Sequence, residues 1–415
     1  DLTGRVDAAA ELERTRRRMS HEIFDPAVWP LFEIEATRLD GGETRIHIGL
    51  DALILDGKSR QILFREWARL YADPETELPP IELSFRDYVL AEEAFRQSEL
   101  YKRAHAYWKG RLADLPPVPD FPLVKDPASL DKLEFERFSG HLSPKAWGAL
   151  KAKASQHGLT GSGVLLAAFA QALTAWSRNP KLLINIPLFN RFAVHRQVDE
   201  MVGDFTTVNL MAVDHSKPES FASRAQRLQK RLWEDLDHRH MNGVRVMREL
   251  TAAQGSSGGL MTVVFTSLLD LSYTEGMERF GSLVEGATQT SQVILDHQVR
   301  EEADGALDFH WDAVLELFPE GFVQAMFGAY CRFLEQLAEQ PEWQGAEKAL
   351  LTPEDAKLLA ELNDTNGPVS DEMIHTALAR IAAEQPGHPA VITPELTLSY
   401  GALCVRANRV GRLLR

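Results

Sequence analysis

The sequence predicts an α/β fold in two lobes, on three observations. Helical stripes and strand-like runs alternate over about the first 340 residues. The stretch Leu115-Pro116-Pro117-Val118-Pro119-Asp120-Phe121-Pro122 breaks that alternation, because consecutive prolines lack donors and forbid helix. A chain of 415 residues that is 44% hydrophobic also holds enough apolar material for more than one core, roughly two or three units of about 150 residues.

The elements follow in order. Arg45-Ile46-His47-Ile48-Gly49-Leu50 alternates, with Ile46, Ile48 and Leu50 on one face, and reads as a half-buried strand. Ser59 is the expected N-cap of a helix carrying Ile62, Leu63, Trp67 and Leu70. One longer helix is expected next, with Ala94, Tyr101 and Trp108 at heptad spacing and Ala91 and Ala104 beside them. The proline-dense stretch then leaves the first lobe. A second lobe starts near Phe135, with Leu165, Ala168, Phe169, Ala172, Leu173 and Trp176 on one helical stripe after Thr160-Gly161-Ser162. Strands are predicted at Leu182–Pro187, Thr206–Val213 and Thr262–Ser267, and another over Gln292–Arg300. Asp304-Gly305 turns that last strand into Leu307-Asp308-Phe309-His310-Trp311 as a hairpin. Phe322, Met326, Ala329, Phe333 and Leu337 mark a closing amphipathic helix, and the polar, Pro- and Gly-broken stretch from Gln340 to Pro368 reads as a linker.

Lys+Arg 45 against Asp+Glu 60 gives a net charge of −15 with no basic block. A chain this acidic is a poor binder of nucleic acid or an anionic membrane surface. No apolar run spans a bilayer; the most apolar helix candidate, Val164–Trp176, is short and contains Gln171. The first residues lack an initiator Met and the basic-then-apolar order of a signal peptide, so the chain is expected to be a piece of a longer one. Cys331 and Cys404 cannot build a disulfide framework and lie in no metal-ligand spacing. A cytoplasmic setting and no metal are expected.

Three places hold polar residues that pattern alone does not explain. In Asp51-Ala52-Leu53-Ile54-Leu55-Asp56-Gly57-Lys58-Ser59 two carboxylates bracket an apolar run, which costs free energy unless each is paired or solvated. Asp56 or Ser59 as a helix cap, with Asp51 in water, would also account for it. Gly203-Asp204-Phe205-Thr206-Thr207 reads as a turn before a strand, but Arg191, after Phe189-Asn190, is a lone Arg in apolar surroundings and seeks a carboxylate. On the run from Gln292, period two puts Gln292, Asp296 and Gln298 on one face and Val293, Leu295 and Val299 on the other. That polar face lines a cavity or is the outer face of an exposed edge strand; His297, on the apolar side, reads as a core histidine.

At these places the sequence resembles the heterocyclization domain of nonribosomal peptide synthetases, a subfamily of condensation domains with a two-lobed, chloramphenicol-acetyltransferase-like fold. Asp51, Asp56 and Ser59 meet the subfamily signature DxxxxDxxS. The likeness continues through Trp29-Pro30-Leu31-Phe32, Leu115-Pro116-Pro117-Val118-Pro119, Ala175-Trp176-Ser177, Gly203-Asp204-Phe205-Thr206, Val264-Phe265-Thr266-Ser267, and Ser291-Gln292-Val293 with Leu295-Asp296-His297-Gln298. The tail from Asn363 resembles the opening of an adenylation domain, with Leu396-Thr397-Leu398-Ser399-Tyr400 similar to its first core motif. The resemblance implies an N-terminal lobe over 1–130 without its opening segment, a C-terminal lobe over 131–342, a linker over 343–368, and the start of an adenylation domain over 369–415. The tail stops before the ATP and substrate motifs, so the chain is not expected to adenylate.

The implied chemistry joins an upstream carrier-bound acyl thioester to a carrier-bound Cys, Ser or Thr, with Cys expected first. The amide then closes on the side chain and loses water, leaving a thiazoline or oxazoline of the kind found in siderophores and other natural products. Asp296 is the expected acid–base group, Thr266 its hydrogen-bonding or relay partner, and Gln298 the residue that positions the intermediate. Asp51, Asp56, Ser59 and Arg191 are expected to be structural, with Asp56 paired to Arg191; Ser267, Gln292 and Asn190 are expected to line the substrate channel. No cofactor is expected to bind directly, since 4'-phosphopantetheine arrives on partner carriers. The expected partners are an upstream aryl or peptidyl carrier as donor, a downstream peptidyl carrier as acceptor, and the adjoining adenylation domain. The rival readings are a condensation-only acyltransferase, told apart by whether product loses water, and a non-catalytic carrier-docking scaffold.

Ordinary condensation domains carry HHxxxDG where this chain has Asp51 to Gly57, and their second histidine is Ala52 here. A methyl group can neither accept a proton nor hydrogen-bond an amine. Ala52→His is therefore expected to leave the rate of amide formation unimproved, measured as amide product on the acceptor carrier.

Overall fold

Alternating apolar residues become strands and apolar stripes become helices in the order α1 Ala8–Ser20, β1 Phe32–Arg38, β2 Thr44–Leu50, α2 Gly57–Ala72, α3 Phe85–Phe95 and α4 Glu99–Arg111. There follow β3 Glu136–Leu142, α5 Pro144–Gln156, α6 Gly161–Trp176, β4 Lys181–Phe189, β5 Thr206–Asp214, α7 Phe221–Asp237 and α8 Gly243–Gln254. The order closes with β6 Val263–Ser267, β7 Leu295–Glu301, β8 Leu307–Ala313 and α9 Phe322–Glu339. The computed structural model describes residues 1–130, 132–254, 262–269, 276–290, 292–343, 350–365, 367 and 373–414. Ser291 lies outside them, as do 344–349, 366 and 368–372 of the stretch expected to be a linker.

The fold is α/β with a mixed sheet. β1 and β2 form an antiparallel pair of their own, and six strands form a sheet in the order β3-β8-β7-β6-β4-β5. β6 runs parallel to both its neighbours, β4 and β7; the other pairings are antiparallel. One face is covered by α5, α6, α7 and α9, where Trp147, Phe169, Trp311, Tyr330 and Phe333 are fully buried. α6 is apolar on every side and is correspondingly buried from Gly163 to Leu173. On the other face, Trp108 of α4 and Val246 and Leu250 of α8 pack with Leu183 of β4 and Leu210 of β5. Among the described residues no single helix is long and apolar enough to cross a membrane.

Contacts divide the chain into a unit Asp1–Thr352 and a unit Pro353–Arg415. The second contains α10 Pro353–Asn363, α11 Ile374–Glu384, an antiparallel pair β9 Pro389–Ile392 and β10 Thr397–Ser399, and α12 Tyr400–Leu413.

Local chemistry explains where the structure departs from the sequence expectation. The long helix expected through Ala94 and Trp108 is two helices, because Ser98 accepts from the Tyr101 amide and starts α4 afresh. Asp56, rather than Ser59, caps α2, its carboxylate accepting from the Ser59 amide. The strand expected from Gln292 begins at Leu295; Gln292 has a φ of +72°, a left-handed conformation that no strand passes through. β7 lies inside the sheet, with β8 and β6 on either side, so the edge-strand alternative does not hold. Pro353–Asn363 is a helix within the expected linker, with the favoured Pro at its first position.

Gly243 opens α8 where a Cβ would lie 2.4 Å from the Val208 carbonyl oxygen of β5. Backbone cannot step aside as a side chain can, so Gly243→Ala is expected to destabilise the protein by ~1–3 kcal/mol, read as a lowered Tm.

Candidate active site

The signature loop leaves β2 through Asp51, whose Oδ1 accepts from the Leu53 amide at 2.9 Å in a local turn. Ala52 beside it is exposed. Asp56 ends the loop with a fully buried side chain, and Gly57 follows because a Cβ there would come within 2.7 Å of the Phe189 ring. Arg191, just beyond β4, reaches back to Asp56 Oδ1 and Ser59 Oγ, both at 2.9 Å. Its other nitrogen donates to the Val198 and Met201 carbonyls at 2.7 and 2.8 Å, and its guanidinium carbon lies 3.9 Å from the Phe205 ring centre. Ser59 Oγ donates to the Gly203 carbonyl and accepts from the Gly203 amide, at 2.8 and 3.0 Å. Asp56, Ser59 and Arg191 thus form one buried knot, and Asp51 stays outside it.

A second cluster occupies the sheet face away from α6 and α9. Asp296 and Gln298 of β7 point there, while His297 points into the core. His297 is satisfied by the Tyr330 hydroxyl at 2.9 Å and the His310 carbonyl at 3.2 Å, and burial pushes its pKa down to about 3. Asp296 is 8% exposed; its Oδ2 accepts from Gln298 Nε2 at 2.7 Å, and its Oδ1 has no partner among the described residues. Burial raises the Asp296 carboxyl to about 6; the Gln298 hydrogen bond opposes this and the nearby Asp312 charge adds to it. Thr266 of β6 stands opposite Gln298 in the parallel register and so shares this face.

The other expected channel residues do not join either group by side chain. Ser267 is one residue past Thr266 and turns to the helix side, its Oγ 2.8 Å from Ser162 Oγ at the start of α6. Gln292 is exposed in its turn. Asn190 is buried beside Arg191, with Nδ2 donating to the Arg239 carbonyl at 3.3 Å. Gln298, expected to hold the intermediate, has its amide nitrogen engaged with Asp296 and with Thr288 Oγ1, both at 2.7 Å.

Sequence reasoning missed Gly203, Thr288, Arg137 and Asp312. Gly203 looked like a turn residue; its backbone is what Ser59 holds, and a Cβ there would meet the Phe85 ring at 2.4 Å. Arg137 donates to both Asp312 oxygens, at 2.7 and 2.6 Å, and Thr288 to Oδ2 at 3.0 Å. Counting outward from the Asp304-Gly305 turn would have placed Asp312 opposite Asp296. Among the described residues no group of three or more His, Cys, Asp or Glu is placed to hold a metal ion.

Residues 2–360 match the family model of the condensation domain, and the chain belongs to that family, found in nonribosomal peptide synthetases. Such domains act with carrier proteins bearing phosphopantetheine. Pyochelin synthetase PchF of Pseudomonas aeruginosa is 35% identical over 410 residues, 98% of this chain and 22% of that protein. Phenyloxazoline synthase MbtB of Mycobacterium tuberculosis is 34% identical over 407 residues, 96% of this chain and 28% of that protein. The chain therefore spans less than a third of either relative. The cyclization-docking bidomain of the EpoB nonribosomal peptide synthetase from Sorangium cellulosum is 40% identical, with a TM-score of 0.75 over 83% of this chain and 70% of that one.

Removing one partner of a buried ion pair strands the other, typically at ~3–5 kcal/mol. Asp56→Ala is expected to lower Tm and soluble yield before it alters any chemical step, which thermal melts beside product assays will show.

Proposed function

We propose that this chain is a heterocyclization domain, which condenses a carrier-bound acyl thioester with a carrier-bound Cys, Ser or Thr and then cyclodehydrates the product. The observation that carries the reading is Asp296, a buried carboxyl on an inner strand with one oxygen held by Gln298 and the other without a partner among the described residues. Ala52 in the histidine position and the names of the relatives, a phenyloxazoline synthase and a cyclization bidomain among them, support it.

In the first step the acceptor amine attacks the donor thioester, a C–N bond forms, and the C–S bond breaks to release the carrier thiol. An activated thioester and a reactive amine need chiefly orientation. In the second step the side-chain thiol or hydroxyl adds to the new amide carbonyl, whose oxygen gains a proton. In the third that hydroxyl leaves as water while the nitrogen gives up its proton and the C=N bond forms. Asp296 supplies the proton to the departing oxygen, and its carboxylate then takes the proton from nitrogen, so the group ends as it began. A carboxyl raised to about 6 is suited to both tasks near neutrality. Gln298 fixes the carboxyl, which aims Oδ1 at the substrate, and Thr266 on the neighbouring strand relays or donates a hydrogen bond.

In this proposal residues 369–415, within the Pro353–Arg415 unit, are the start of an adenylation domain. Leu396–Tyr400 spans its second strand and the first residue of α12, with Leu398 buried there.

Asp296→Asn keeps shape but removes the titrating group. It is expected to let open-chain amide accumulate on the acceptor carrier, with heterocycle formation reduced by ~10²–10⁴-fold, and Thr266→Val is expected to do so more mildly. Intact mass of the acceptor carrier, loaded beside a donor carrier, reads the difference of one water. Heterocycle formed at the parent rate by Asp296→Asn would remove Asp296 from the chemistry.

A further inference from the structure

Asp312 stands directly across from Asp296 in the antiparallel β7–β8 register, with its side chain 2% exposed. Two carboxyl groups facing each other at this depth repel if both are ionised, so the more poorly compensated one keeps a proton. Their surroundings differ sharply. Arg137, from β3, holds both oxygens of Asp312, and Thr288 adds a third donor. At Asp296 the donors are neutral, the Gln298 amide on Oδ2 and, as a smaller influence, Thr288, and Oδ1 is without a partner among the described residues. The cation and most of the donors converge on Asp312, and Asp296 is the less well compensated of the two.

We propose that Asp312 is a positioning residue that extends to higher pH the range over which the Asp296 carboxyl can hold and donate a proton, with Arg137 the cation that limits how strongly it does so. The proposal rests on the reading of Asp296 as the acid–base group. It assigns this chain a two-carboxyl device: one carboxyl held against Arg137, the other cycling its proton through the loss of water.

The other groups around Asp296 leave this assignment standing. His310, opposite Gln298 on β8, is kept neutral by burial, which lowers it to about 4, with Arg137 acting in the same direction. Arg300, further along β7, is engaged by Glu302 at 2.6 Å and Asp308 at 3.2 Å. Thr266 on β6 and Thr288, in the segment 276–290, are uncharged. Glu285 of that segment pairs with Arg16 of α1 at 3.1 Å. The Arg137–Asp312 pair is thus the charged pair set directly beside Asp296.

The test is the pH dependence of ring formation in the synthetase that carries this chain, scored by intact mass as the ratio of heterocycle to open amide. Asp312→Asn removes the negative charge but keeps Arg137, so the inflection due to Asp296 is expected to move down by roughly one pH unit. Arg137→Gln removes the cation instead, and the inflection is expected to move up; Arg137→Lys should stay close to the parent. Opposite shifts from two residues of one ion pair are not a result that simple structural damage produces. The same directions are expected in a carbon-13 NMR titration of the Asp296 carboxyl in the 415-residue chain. If Asp312→Asn does not fold, the Gln and Lys variants of Arg137 carry the comparison. Shifts of the same sign, or none, while Asp296→Asn still stops ring formation would overturn the proposal and leave the function intact. Heterocycle at the parent rate from Asp296→Asn would overturn the function itself, and the proposal with it.

Discussion

The buried Arg191 guanidinium is the contact on which the Asp1–Thr352 unit depends. It comes from the loop after β4, in the large sheet, and it satisfies the cap of α2, which follows the separate β1–β2 pair. A guanidinium this deep is tolerable only because four oxygens and an aromatic face replace its water. The signature residues Asp56 and Ser59 are therefore best understood as the receptor for that cation. They fix where α2 begins and bind the Gly203 backbone just ahead of β5.

The sheet supplies the second constraint, through the two faces of β7. On one side His297 is buried against Phe169 and Tyr330 and kept neutral, so the strand is anchored by a polar residue that is fully satisfied. On the other side the same strand carries Asp296 and Gln298, both buried, with an Asp296 oxygen that lacks a partner among the described residues. A buried polar atom without a partner works against stability, and active sites are where such departures from good local structure concentrate. The period of two that makes a good core on one face sets a buried carboxyl on the other.

Residues 276–290 tie these two regions together. Phe280 packs on Trp67 and Tyr71 of α2, and Gly276 is forced by a φ of +82° and by the Phe64 and Arg65 backbone, 2.7 Å from where its Cβ would be. The same segment ends over β7 and β8, where Thr288 bonds both Gln298 and Asp312. The environment of Asp296 is in this way coupled through one segment to the helix that Asp56 caps.

The sequence by itself determined the strands and helices whose apolar period was clean: β2, β4, β5, β8, α6 and α9 all fall where Ile48, Ile184, Leu210, Phe309, Leu165 and Phe333 put them. It also determined which face of β7 carries Asp296 and Gln298, because side-chain alternation is a local property of extended backbone. It did not determine that β7 is an inner strand, since an edge strand and a cavity wall share one pattern and strand order is set by partners far along the chain. Nor could it separate α3 from α4, where a single Ser98 hydroxyl decides, or show that Gln292 leaves the strand through a left-handed turn. The tertiary structure alone decided what surrounds Asp296. Arg137 lies in a distant segment and Thr288 in an irregular stretch without periodicity, and their effect on a carboxyl depends on burial and on distances of a few ångströms, which no spacing in the sequence records.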